Sequence, residues 1–204
     1  MLTTPARIAV FVSGGGTNLQ ALIDAERANR IPHGQIVLVL SSTPTAYALE
    51  RAKKAEIPTV VVARKSCTNQ VQFEHEICAK LTEFSVDVIV LAGFMSILSA
   101  DFTARYPDRI LNVHPSLIPS FCGKGFYGLR VHEAALARGV KVTGATVHLV
   151  NEIPDGGRIL LQKAVEIQPD DTPEALQRRV MEEAEWKLLP QATEMICAKL
   201  CDAH

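Results

Sequence analysis

Asn112 and His114 stand two residues apart in the apolar stretch ILNVHPSLIP, residues 110–119. In an extended strand alternate side chains share a face, so a carboxamide and an imidazole project together while Val113 projects the other way. A third polar candidate is Asp155, in the turn PDGG. A carboxylate beside an imidazole favours the protonated ring and moves its pKa up from about 6.5. An imidazolium with a carboxamide N–H next to it can stabilise an oxyanion on a tetrahedral carbon and protonate a leaving group. Each residue also has a plainer reading: aspartate before glycine is a common turn residue, and a strand histidine is commonly a hydrogen-bonded structural residue. The chemistry requires the three to meet in space.

The stretch SGGGTNLQ, residues 13–20, lies between an apolar strand-like run and a helical pattern. Gly14, Gly15 and Gly16 permit tight turning and close backbone approach, and a helix start offers unpaired N–H groups to an anion. The dinucleotide fingerprint is half met: Leu19 stands at the third glycine position, and Ser41 and Ser42 end the second strand where an acid would grip a ribose. A single phosphate monoester suits the loop better, the alternative being a tight turn without ligand. The second glycine cluster, CGKGFYG, residues 122–128, is not a Walker motif, because Gly125 follows Lys124 where Ser or Thr is needed. Nucleophilic catalysis is disfavoured: no G-x-S-x-G elbow is present, and Ser116 follows a proline.

These residues need a scaffold. Apolar runs at 7–12, 35–41, 59–63, 86–93 and 110–114 alternate with helical patterns carrying Leu19, Leu22 and Ile23, then residues 45–55, then Phe73, Ile77, Leu81 and Phe84, then residues 99–105. Such βαβ alternation predicts a mostly parallel sheet covered on both faces. GATVHLVNEIPDGGRILLQKAVEI reads as two strands joined by the turn IPDGG. Thr172 is the expected N-cap of a long C-terminal helix, with Pro173 at its first position. Leu176, Val180, Ala184 and Leu188 form its apolar stripe, and Pro190 is its expected kink. His204 reads as a frayed end. The expected fold is α/β: a single domain, 1–204, with a mostly parallel twisted sheet, a Rossmann-like N-terminal half and an antiparallel hairpin addition. In such sheets ligands bind beyond the carboxyl ends of strands, where SGGGTN, LAGFMSIL (91–98) and NVHPS all lie.

The 204 residues carry a net charge of only −1, which gives no sign of a nucleic-acid partner. The longest apolar stretches are too short to span a bilayer, and MLTTPARIAVFV lacks the features of a signal peptide. Five cysteines at irregular spacing argue against a disulfide framework and for a reducing cytosol. Cys197 and Cys201 read as packing residues, because no second ligand pair follows at zinc spacing.

SGGGTNLQALI, IVLAGFMSILS, ILNVHPSLIPSFCGKG, GATVHLV and DGGRILLQ occur in that order and span most of the chain. Together they resemble the phosphoribosylglycinamide formyltransferase family, folate-dependent enzymes of purine synthesis. The resemblance implies transfer of a formyl group from 10-formyltetrahydrofolate, as co-substrate, to the amine of glycinamide ribonucleotide, with no metal. It implies Asn112, His114 and Asp155 as the catalytic trio and His148 as an auxiliary histidine. Gly16, Thr17, Asn18 and Glu185 match its ribonucleotide positions. Met95, Ser96, Ile97 and Leu98, with Asn112, Val150, Asn151, Glu152, Ile153, Pro154 and Asp155, match its folate pocket. On this reading residues 1–110 hold the ribonucleotide phosphate and 111–204 carry folate and catalysis. The protein is then a cytoplasmic monomer or homodimer whose partners are small molecules, with no nucleic acid and no membrane.

Three positions depart from the family pattern. Ser96 and Gln70 stand where relatives carry arginine, leaving Arg64 or Lys65 to meet the folate tail, and Glu182 replaces lysine or glutamine. Lys124, in a longer loop than in shorter relatives, is expected to restore the lost positive charge. Rival expectations are formyltetrahydrofolate hydrolase, formylation of methionyl-tRNA, and a non-catalytic nucleotide-binding module on the same fold.

Overall fold

β1 (Ala6–Val12) is buried along almost its whole length, as an apolar run without polar alternation requires when both faces of a sheet are covered. The structure, a computed structural model, describes residues 4–202; His204 lies outside them. The chain continues through α1 (Thr17–Arg27), β2 (Gly34–Ser41), α2 (Ala48–Lys54), β3 (Thr59–Val61), α3 (Gln70–Glu83), β4 (Val88–Leu91) and α4 (Ala100–Ala104). It then forms β5 (Ile110–His114), α5 (Leu129–Arg138), β6 (Val142–Leu149), β7 (Ile159–Glu166), α6 (Pro173–Val180) and α7 (Trp186–Asp202). One seven-stranded sheet has the order β3-β2-β1-β4-β5-β6-β7. β1 to β5 are parallel, β6 runs antiparallel to β5, and β7 runs antiparallel to β6. The expected α/β sheet with an antiparallel addition is the observed one. Among the described residues no helix is long and apolar enough to cross a membrane.

The two faces of β1 feed two cores. Ile8, Val10 and Val12 pack with Leu19, Leu22, Leu49, Leu176 and Ile196. Ala9 and Phe11 pack with Phe73, Ile77, Leu81 and Phe102 on the other side. Each buried side chain of this size contributes roughly 1.5–3 kcal/mol. The chain leaves β1 toward β2 on one side and returns to β4 on the other, so a topological switch point lies between β1 and β4. In open α/β sheets the ligand crevice forms there, beyond the carboxyl ends of the strands.

Two elements differ from expectation. α5 was not predicted, because the glycines of CGKGFYG mask the helical spacing of Val131, His132 and Ala135, which are the helix's buried face. Gly139, at φ +74, ends it in the left-handed region that favours glycine. In the C-terminal helical region, α7 runs on past Pro190, and the ladder is instead interrupted upstream by a π-turn, Met181–Glu185. Thr172 caps α6 as expected, accepting the Ala175 N–H, with Pro173 in the first turn.

Candidate active site

β5 delivers Asn112 and His114, and the antiparallel register with β6 sets Asn112 opposite His148. The connection between β6 and β7 folds back so that Asp155 reaches both histidines. Its Oδ2 lies 3.5 Å from His114 Nδ1, and its Oδ1 lies 3.5 Å from His148 Nε2. Asp155 adopts φ +56, the left-handed region, which Asp tolerates better than most residues. The turn also requires Gly157, where a Cβ would stand 1.8 Å from the Leu149 carbonyl oxygen.

Hydrogen bonds fix where the protons are. His148 Nδ1 is 2.8 Å from the Leu149 carbonyl oxygen. A carbonyl only accepts, so Nδ1 carries the proton and Nε2 of the neutral ring is an acceptor. Asn112 therefore turns its amide nitrogen, not its oxygen, toward His148, at 3.1 Å. The same nitrogen stands 3.5 Å from Asp155 Oδ1. Burial alone would raise the Asp155 carboxyl, but the neighbouring imidazoles of His148 and His114 and the Gly123 N–H outweigh it and hold the group below its ordinary range. Asp155 is a carboxylate at neutral pH.

These residues line one side of a cavity of about 600 Å³. Asn18 and Glu185 lie at another part of its wall, with Met181 and Gln177. Asn18 donates to Glu185 Oε2 at 2.6 Å, while its own Oδ1 is buried without a partner among the described residues. Glu185 is almost wholly buried. Burial pushes its carboxyl up to about 7, partly offset by the Asn18 N–H. The π-turn places Met181 and Glu185 beside α1, where the Thr17 hydroxyl contacts Met181 Sδ at 3.6 Å. Such bulges recur at functional sites. Gly16 caps α1 in the left-handed region, and a Cβ there would stand 2.6 Å from Ala48 Cβ.

The segment after β4 forms an apolar lip on the cavity: Met95 is 56% and Ile97 66% exposed. Gln70 pins this lip by donating to the Ile97 carbonyl at 3.0 Å and to Glu74 at 2.6 Å, so its amide N–H groups are already engaged. Arg64 stacks over Phe73.

Of the residues expected in the site, Asn18, Met95, Ile97, Asn112, His114, Pro154, Asp155 and Glu185 share the cavity. Gly16 and Thr17 lie beside it at the start of α1. Two of the expected folate residues pack elsewhere: Leu98 is buried in the second core and Val150 packs against it. Asn151 is used locally, accepting the Ile153 N–H. Ser96 and Glu152 do not line the cavity, and Glu182 is exposed on the π-turn. Lys124 does line it, as do Phe126 and Tyr127. Of these three, only Lys124 was read in advance. The glycines at 123, 125 and 128, all at positive φ, were the available signal that this loop folds over a site.

Residues 6–193 match the family described as formyl transferase. A phosphoribosylglycinamide formyltransferase of Haemophilus influenzae is 44% identical over 90% of this chain and 84% of its own length. A human trifunctional purine biosynthetic protein, adenosine-3, is 45% identical over 95% of this chain. This chain spans only 18% of that human protein. The crystal structure of glycinamide ribonucleotide transformylase 1 from Symbiobacterium toebii superposes with a TM-score of 0.89 at 38% identity, covering 96% of this chain and 89% of that one. The chain belongs to the formyl transferase family, in the branch whose relatives are named phosphoribosylglycinamide formyltransferase.

Proposed function

We propose that this protein transfers a formyl group from 10-formyltetrahydrofolate to the amine of glycinamide ribonucleotide, giving formylglycinamide ribonucleotide and tetrahydrofolate. The observation that carries this reading is the meeting of Asn112, His114 and Asp155 on one cavity wall, with Asn18 and Glu185 elsewhere in that wall. The names of the relatives support the substrates.

The residues suit both substrates. Backbone N–H groups at the start of α1 meet a phosphate, and the orphaned Asn18 Oδ1 and Glu185 can engage ribose hydroxyls. The exposed side chains of Met95 and Ile97 give a flat aromatic donor an apolar seat.

Bond formation between amine and formyl carbon puts negative charge on the formyl oxygen. Asn112 holds one N–H toward His148, and its second, only loosely engaged with Asp155, is free to meet that charge. His114 presents Nδ1 beside it, and Asp155 balances the imidazolium. As the bond from carbon to the folate nitrogen breaks, the amine's proton passes through this pair to the leaving nitrogen. Binding both substrates in line supplies a comparable share of the acceleration. Binding residues come from both halves of the chain, with the lip from the first half and Glu185 from the second, while Asn112, His114 and Asp155 all come from the second.

A donor carrying a 13C-labelled formyl group tests the reading. The label is expected in the amide of the ribonucleotide product; label recovered only as free formate contradicts it.

A further inference from the structure

Residues 121–123 hydrogen-bond to both members of the His114–Asp155 pair through main-chain atoms. The Phe121 carbonyl oxygen is 2.8 Å from His114 Nε2, and the Gly123 N–H donates to Asp155 Oδ2 at 2.8 Å. Phe121 sits at φ +49, in the left-handed region that a residue with a Cβ enters only when its surroundings impose it. Its surroundings do: its ring meets Phe126 edge-on at 6.3 Å, and Ser116 holds the Ser120 carbonyl at 2.6 Å just upstream. Gly123 follows at φ +84.

A carbonyl oxygen has no proton to give, so the ring nitrogen must be the donor. We infer that the main-chain carbonyl of Phe121 is a positioning group that locks neutral His114 with its proton on Nε2, leaving Nδ1, which faces Asp155, as the nitrogen that gains and releases the transferable proton. The other groups around the ring do not compete for Nε2. Asp155 is on the Nδ1 side, and His148 meets the far oxygen of Asp155 rather than His114. His132, from α5, stays neutral near His114, its pKa lowered to about 4 by burial and then by His114. Cys122 donates to the Pro119 carbonyl. The kinetic part of this inference rests on the formyl-transfer reading; the tautomer itself does not.

The test is a long-range 1H–15N spectrum of histidine-labelled protein from pH ~5 to ~9, spanning the range where imidazoles titrate, with His114 identified by its loss in His114→Ala. Wherever the ring is neutral, its proton is expected on Nε2, with Nδ1 bare. A neutral ring protonated on Nδ1, or an even mixture, overturns the inference. Gly123→Pro removes the N–H and forbids φ +84. It is expected to mix the tautomers and lower kcat at least about tenfold. Gly139→Ala imposes similar left-handed strain, at φ +74 with room for the Cβ, at the far end of α5, and should leave spectrum and kcat as in the parent. If Gly123→Pro loses activity but keeps the parent tautomer, Phe121 does not set it. A parent protein without formyl transfer removes the kinetic arm and leaves the spectrum to decide.

Discussion

Nδ1 of His114, at the end of β5, lies 3.5 Å from Oδ2 of Asp155, in the turn beyond β6. That contact joins a parallel strand to the antiparallel addition, so it exists only if the whole sheet assembles in this order. The fold's topology is thereby tied to the chemistry: the carboxylate comes from the element that departs from the βαβ pattern.

Asp155→Asn keeps the shape and removes the charge proposed to balance the imidazolium. General acid–base groups contribute typically about 10²- to 10⁴-fold, and a loss of kcat in that range is expected, with smaller changes in both KM values. Asn112→Ala removes the proposed oxyanion donor and is expected to cost about 10²- to 10³-fold in kcat. Steady-state kinetics on each variant checks both.

Glu185 titrates near 7 because it is buried. Its ionised form accepts hydroxyl hydrogen bonds more strongly than the neutral acid does. The ribonucleotide KM is therefore expected to fall as pH rises through about 7, and Glu185→Gln should flatten that dependence. A pH series of KM measures it.

Stability should show two opposing slopes. His132 stays neutral in the folded protein down to about pH 4, against an ordinary value of 6.5. The unfolded chain takes up that proton first, so stability falls as pH drops from 6.5 toward 4, by about 3 kcal/mol in all. Glu185 keeps its proton up to about 7 when folded but loses it near 4.5 when unfolded, so its contribution is present below 4.5 and lost as pH rises to 7. Between 4.5 and 6.5 the two nearly cancel. His132→Leu removes two buried nitrogens that have no partner among the described residues, so it should cost less than about 1 kcal/mol at neutral pH. It should also expose the Glu185 slope, making the variant less stable as pH rises across that window. Urea unfolding at several pH values decides this.

Gly157→Ala cannot be accommodated without moving the turn that carries Asp155, because its Cβ would meet the Leu149 carbonyl at 1.8 Å. A loss of more than about 2 kcal/mol in urea unfolding is expected, together with loss of activity. Unchanged stability and activity would contradict the geometry assigned to this hairpin.

Among the described residues, Lys124 is the one lysine or arginine lining a cavity that also holds two carboxylates, those of Asp155 and Glu185. Lys124→Ala is expected to raise the ribonucleotide KM roughly tenfold with kcat little changed, and the effect should shrink as salt is added. An unchanged KM removes Lys124 from phosphate recognition.

The parts of the site made by side-chain type were legible in the sequence. Asn112 and His114 declare themselves by spacing on a strand, and the glycines before α1 by the turn they permit. The parts made by the main chain were not, since every residue carries the carbonyl that Phe121 offers His114 and all but proline carry the N–H that Gly123 offers Asp155. The π-turn was equally hidden, because MEEAE reads as ordinary helix. Leu98 and Val150 went the other way: motif position put them at the ligand, while their hydrophobicity took them into the core.

The central claim, that His114 with Asp155 and Asn112 moves a formyl group onto an acceptor amine, is tested most directly by the absorbance change of 10-formyltetrahydrofolate with and without glycinamide ribonucleotide. The expected result is turnover by the parent protein only when ribonucleotide is present, and a loss of at least about 10²-fold in His114→Ala although that variant still binds ribonucleotide. Turnover that ignores the ribonucleotide, or a His114→Ala protein as active as the parent, contradicts it.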